Sequence, residues 1–191
     1  RLLITISLII AIPLWLAILL IPLNWSVSSI PPAGSVINIG PVSSYQIPGQ
    51  TILPAEEVSK VAALIRVGGP FGSTIPIHLR IFTDVGGNLL SSATTSATSI
   101  PSGFDLVIFD LDQPIPGSHW AYMEFQIPYD TQWPIIIGGT KSSLPEFPGQ
   151  LFLRGQAGWE DQDLFYQLLR HQNLASRIPT IWTHHQATLL G

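Results

Sequence analysis

Residues 75–82 read IPIHLRIF and residues 120–127 read WAYMEFQI. In the first, Ile75, Ile77, Leu79 and Ile81 alternate with Pro76, His78, Arg80 and Phe82. In the second, Ala121, Met123, Phe125 and Ile127 alternate with Trp120, Tyr122, Glu124 and Gln126. Successive side chains of a strand point to opposite faces, so a period of two is the signature of a half-buried strand. Outward from these two runs the same texture continues. Short apolar segments are expected as strands at 36–39, 44–47, 58–67, 75–83, 88–92, 105–110, 120–127, 134–137, 150–153 and 163–169. Gly-Gly pairs at 68–69, 86–87 and 138–139 separate them, with Pro-containing turns at 113–117 and 145–149. Pro76 cannot donate to a ladder and belongs at an edge or a strand start. Many short strands and no long amphipathic helix give an all-β domain, a β-sandwich or jelly roll. Only 54–62 and 164–176 have a helical alternative.

The first residues differ in kind. The chain has 191 residues, and only 10% are charged against a usual ~25%. None of the charge falls between residues 2 and 23, which read LLITISLIIAIPLWLAILLIPL. At about 1.5 Å per residue that run spans roughly 33 Å, enough for a hydrocarbon core of about 30 Å. It is longer than the apolar region of a signal peptide, and no A-x-A pattern follows. A single N-terminal transmembrane α-helix is therefore expected, with Leu2, Leu8, Pro13, Trp15 and Leu20 in the membrane. Pro13 kinks it, Pro22 ends it, and Trp25 lies at the headgroup level. Arg1 precedes the span and the next basic residue is Lys60, so the positive-inside rule puts the N-terminus in the cytoplasm and the β-domain outside. The expected organisation is an anchor at 1–25, a Ser/Pro/Gly linker at 26–35, a β-sandwich at 36–170 and a tail at 171–191.

Composition excludes several classes of function. Setting Arg1 aside, 7 basic and 12 acidic residues remain, without a basic cluster, which argues against nucleic acid as a partner. There is no cysteine, hence no disulfide, thiolate nucleophile or Cys-based metal site. No G-x-S-x-G, P-loop or G-x-G-x-x-G is present. Ser118 and His119 are neighbours in PGSHW and read as turn residues. Asp110 and Asp112 share a strand face, as an acid/base pair would, but at a strand end they fit turn hydrogen bonding better. His184 and His185 would point to opposite sides of an extended tail. Glu160, Asp161 and Asp163 are the nearest approach to a calcium site, though without the ordered D-x-D-x-D-G loop. The chain is read as non-enzymatic, with no catalytic residue and no cofactor.

Several phrases together resemble a jelly-roll-type, carbohydrate-binding-like module of bacterial membrane proteins, some of them glycosyltransferase-like. They are GQTILPAEEVSKVAALIR (49–66), HLRIFTDVGGNLL (78–90), FDLDQPIPGSHWAYMEFQIP (109–128), FPGQLFLRGQ (147–156) and DLFYQLL (163–169). What the resemblance implies is a fold, since no catalytic set belongs to the module.

Aromatic side chains remain as the carriers of binding. Trp120 and Phe125 are assigned to the core. Trp133 and Trp159 stand in loop-like contexts and are the expected contact residues. The first functional expectation is an accessory or structural subunit that docks its β-sandwich onto a larger membrane assembly, through other subunits or copies of itself. The alternatives are a cell-surface carbohydrate-binding module and a pilin-like filament subunit. Lipid is a partner in all three, and glycan in the second.

Overall fold

The structure is a computed structural model that describes residues 2–29, 36–43, 46–101, 103–128, 132–141, 149–153, 156–157 and 162–173. The chain divides into two compact units, Arg1–Trp25 with His171–Gly191, and Ser26–Arg170.

The first unit contains the helix α1, Leu2–Leu20, a run of 19 residues without charge and with Pro13 inside it. Its last turn tightens, with the Ile21 N–H donating to the Ile18 carbonyl at 3.2 Å. Strand β1, Pro22–Ser29, starts immediately afterwards. Here the structure departs from the sequence reading. The uncharged run does not stay helical to residue 23, and residues 26–29 belong to a strand instead of a linker. Trp25 is likewise a strand residue. Its indole N–H donates to the Gln172 carbonyl at 3.2 Å, and Asn24 Oδ1 lies 3.2 Å from His171 Nδ1. Among the described residues, no helix is long and apolar enough to cross a membrane.

The second unit is built of antiparallel strands in two layers. Its strands are β2 (Ile37–Val42), β3 (Pro48–Ile52), β4 (Val58–Val67), β5 (Thr74–Phe82), β6 (Leu89–Thr98), β7 (Asp105–Ile115), β8 (Ala121–Gln126), β9 (Ile135–Lys141), β10 (Leu151–Leu153), β11 (Gln156–Ala157), β12 (Gln162–Leu164) and β13 (Tyr166–Asn173), whose last residues lie beyond the unit. One layer runs β11-β10-β3-β8-β5-β6. The other is centred on β4, which pairs β7, β13 and β9, while β9 also pairs β2 and β12. The expected all-β sandwich is what forms; of the segments with a helical alternative, 58–62 belong to β4, residue 164 to β12 and 166–173 to β13, while 174–176 lie outside the described residues.

Alternation explains the layering. From β5, Ile77, Leu79 and Ile81 point inward and are fully buried, as are Met123 and Phe125 of β8. They meet Val61, Ile65 and Phe109 from the opposite layer in one core. Phe109 and Phe125 pack edge to face across the middle, ring centres 5.6 Å apart. Each buried side chain of this size contributes about 1.5–3 kcal/mol. Pro76 sits near the start of β5, outside the last β8 pair, His78 with Gln126, where a missing donor costs least.

One polar link crosses the core. Gln50 of β3 is fully buried, and its side-chain amide donates to Asp163 Oδ1 at 2.6 Å. Its carbonyl accepts the Leu164 N–H at 2.7 Å. Both ends of the amide are satisfied, so the polar groups stay hydrogen-bonded where water is excluded.

Candidate functional site

The outer face of the six-stranded layer carries the chemistry. On β8 the outward residues are Tyr122, Glu124 and Gln126, and Trp120, one step before the strand, continues their side of the alternation. Register then dictates their neighbours. Tyr122 lies beside Phe82, Glu124 beside Arg80, and Gln126 beside His78 on β5. Beyond β5, Phe82, Arg80 and His78 pair with Leu89, Ser92 and Thr94 of β6. On the other flank, Glu124 and Tyr122 pair with Gly49 and Thr51 of β3, and Phe152 pairs with Gly49. The result is a band of rings next to a band of hydrogen-bonding groups.

The rings are graded in exposure. Trp120 is 53% exposed and Leu89 51%, whereas Tyr122 is at 1%. Tyr122 is enclosed by Phe152, edge-on at 5.5 Å, and by Phe82 at 6.3 Å. Its phenol lies across Gly49, where a Cβ would collide with the ring and with the Met123 carbonyl. Glycine is what lets the ring lie down there. The Tyr122 hydroxyl has no hydrogen-bond partner among the described residues. Burial, and secondarily the Glu124 charge, push its pKa well above the usual phenol value.

The polar band is partly paired within itself. Glu124 Oε1 accepts the Gln126 side-chain amide at 2.6 Å and is 3.9 Å from the Arg80 guanidinium. Arg80 stacks on Phe82, 4.8 Å from the ring centre. His78 Nδ1 is 2.9 Å from the Thr94 hydroxyl. A face with flat rings at one end and donors and acceptors at the other can hold an amphipathic, hydroxyl-rich ligand.

The residues expected from the sequence are distributed differently. Trp133 is half-buried and packs against the core. Its ring lies against the turn at Gly69, where a Cβ would come within 2.8 Å of it. Asp163 faces the interior toward Gln50, not a turn open to a cation. Glu160, Asp161 and Trp159 lie outside the described residues, as do His184 and His185. Among the described residues no group of three His, Asp or Glu side chains could hold a metal ion. Asp110 and Asp112 do not form a pair, because each has its own partner. Asp110 bridges Lys60 at 2.6 Å. Asp112 accepts from the Ser91 and Ser92 hydroxyls and the Ser92 N–H, at 2.7, 3.0 and 2.8 Å. Ser118 has φ 60° in its turn, and its N–H donates to the Pro54 carbonyl at 2.7 Å.

Of the residues expected in a membrane, Leu2, Leu8, Pro13, Trp15 and Leu20 are in α1, and Trp25 is in β1. From Ile12 to Ile18 every residue of the helix is exposed, with Trp15 at 65%, and Leu20 is at 62%. Trp120 corrects the sequence reading, since it was assigned to the core and stands outside it. Phe125 is buried as expected. The pairing of Arg80 with Glu124 and of Phe82 with Tyr122 was missed, although both strands were recognised, because their register is not written in either one.

No protein-family model matches the chain, and no curated protein matches it.

Proposed function

We propose that the Ser26–Arg170 body is a glycan-binding module whose ligand lies along the outer face of the six-stranded layer. The observation that carries this reading is Trp120. A large ring left 53% exposed sits at the end of an aromatic row, next to Arg80, Glu124, Gln126 and His78. Sugars present a weakly polar ring face and a polar rim, and such a surface complements both. Among the described residues Glu124 is the carboxylate on the face, and Asp112 borders it through the Ser92 hydroxyl at 3.0 Å. The test is affinity electrophoresis of the full chain, in mild detergent, through gels containing polysaccharides. Wild type should be retarded by at least one polymer, and Trp120→Ala should lose at least tenfold in affinity with an unchanged melting curve. Retention that Trp120→Ala leaves untouched would move the site elsewhere.

A second reading is favoured by α1. A helix that is apolar all round and exposed is not at rest in water. Its 19 uncharged residues extend about 28 Å, just short of a hydrocarbon core of about 30 Å. An apolar segment of this kind suits burial against other chains, as in an accessory subunit docked in a membrane assembly or a filament of like chains. Purification in mild detergent separates these outcomes: a defined partner, a homopolymer, or the chain alone.

A further inference from the structure

Arg80 narrows the chemistry that the outer face can recognise. Its guanidinium carbon lies 4.8 Å from the centre of the Phe82 ring, a cation–π contact that holds the charge over this face. The nearest carboxylate, Glu124, does not hydrogen-bond to it. At 3.9 Å the contact is too long for a hydrogen bond, and Glu124 Oε1 is already engaged by Gln126 at 2.6 Å. The Glu124 side chain is only 15% exposed while that of Arg80 is 39% exposed, so the cation is the more accessible charge of the two. The remaining outward neighbours across the layer are Thr51 on β3, Ser92 and Thr94 on β6, and His78 on β5. None is an acid.

A guanidinium that is 39% exposed and makes no hydrogen bond to its neighbouring carboxylate can receive a planar oxyanion, because two of its N–H groups match the two oxygens of a carboxylate. Trp120 stands four residues from Glu124 along β8, about 13 Å at some 3.3 Å per residue, and Arg80 is level with Glu124. One ligand can reach both only if it is extended. We propose that the face recognises an acidic polysaccharide, with a sugar carboxylate on Arg80 and another ring of the same polymer on Trp120. This rests on the glycan-binding reading above.

The experiment compares polygalacturonate with its methyl ester, the same polymer without the charge, and with dextran sulfate. Full chain in mild detergent is titrated with each. Polygalacturonate should bind at least tenfold more tightly than the ester. Arg80→Gln should abolish that difference, and Arg80→Lys, which keeps the charge and loses the fork, should recover only part of it. Melting curves of both variants confirm that they fold. Equal binding of acid and ester, or unchanged binding by Arg80→Gln, overturns the acidic-sugar inference. Preference for dextran sulfate over polygalacturonate overturns the carboxylate assignment. If both galacturonans bind alike and Trp120→Ala releases both, the face stands and only the acidic inference falls. If nothing binds, or Trp120→Ala changes nothing, the face itself has been misidentified and the inference falls with it.

Discussion

At the scale of single residues, two groups on the sandwich have measurable consequences. Asp112 accepts three hydrogen bonds from Ser91 and Ser92, first the Ser91 hydroxyl and then the Ser92 backbone, and these bring its pKa down from 3.8 to about 2. A carboxyl with a depressed folded pKa stabilises the fold above its unfolded value, and that contribution is lost as pH falls through the folded value. Urea melts of wild type and Asp112→Asn should therefore differ at pH 6 and converge between pH 3.8 and about 2. A gap that stays constant over that window would remove the ion from the account. Tyr122 makes the contrary case. Its hydroxyl is buried without a partner among the described residues, an arrangement that costs about 1–3 kcal/mol. Tyr122→Phe keeps the ring against Phe152 and Phe82, and should raise stability by about 1 kcal/mol. Tyr122→Ala empties the enclosure and should cost about 3–5 kcal/mol. Destabilisation by Tyr122→Phe would mean that the hydroxyl has a bond.

At the scale of elements, the strands that alternate strongly formed as expected, and the exceptions have identifiable causes. Segment 91–99, SSATTSATS, reads as a low-complexity tract, yet β6 runs through to Thr98. It pairs along the whole of β5, and its inward Ala93 and Ala97 are buried although small. Gly138 and Gly139 read as a turn and lie inside β9. A Cβ on Gly138 would come within 2.7 Å of the Leu64 side chain, and one on Gly139 within 2.7 Å of the Asp163 carbonyl, so the pair marks close approach instead of reversal. The expected strand at 163–169 is two strands, because the chain leaves β9 for β4 at Phe165, whose N–H donates to the Gly138 carbonyl at 2.9 Å. Helix α1 yields its own prediction. Leu8→Arg puts a charge near its middle, at a cost of about 2.5–3.5 kcal/mol if the segment sits in lipid. Carbonate extraction should then find the variant in the soluble fraction and wild type in the pellet. Equal membrane retention of both would separate α1 from the bilayer.

At the scale of the whole molecule, the division into two units concerns where independent stability lies. The Ser26–Arg170 body holds the buried cluster, the Phe109–Phe125 contact and the Gln50–Asp163 link between layers. A core of this kind is the source of cooperative unfolding in a single domain. A fragment of residues 26–191, without α1, should therefore give a β-type circular dichroism spectrum and one cooperative melt. A helix-dominated spectrum, or failure to melt as a unit, would show that the body depends on the segments removed.

The sequence by itself determined the class of the fold and the helix at residues 2–20, while the expected tail at 171–191 begins within β13 and otherwise lies outside the described residues. Period-two alternation at 75–82 and 120–127 assigns every inward residue of β5 and β8 without knowledge of their partners, since the pleat is a local property. The uncharged run likewise gives a helix in α1 from composition alone, and the absence of cysteine removes thiol chemistry outright. The helix stop was legible in Pro22, but the strand that follows it was not, since β1 stands beside β13 in the sheet order, more than a hundred residues on. The binding face was decided by tertiary structure. Arg80 and Glu124 are 44 residues apart, and Tyr122 meets Phe152 across 30 more. Only the order β10-β3-β8-β5-β6 and its register bring them to one surface. Register is a relation between strands, fixed when many inward side chains fill one core together. Neither strand alone contains it, and that is why the neighbours of Arg80 and Tyr122 were not legible, whereas the outward side of Trp120 was already written in the alternation of 120–127.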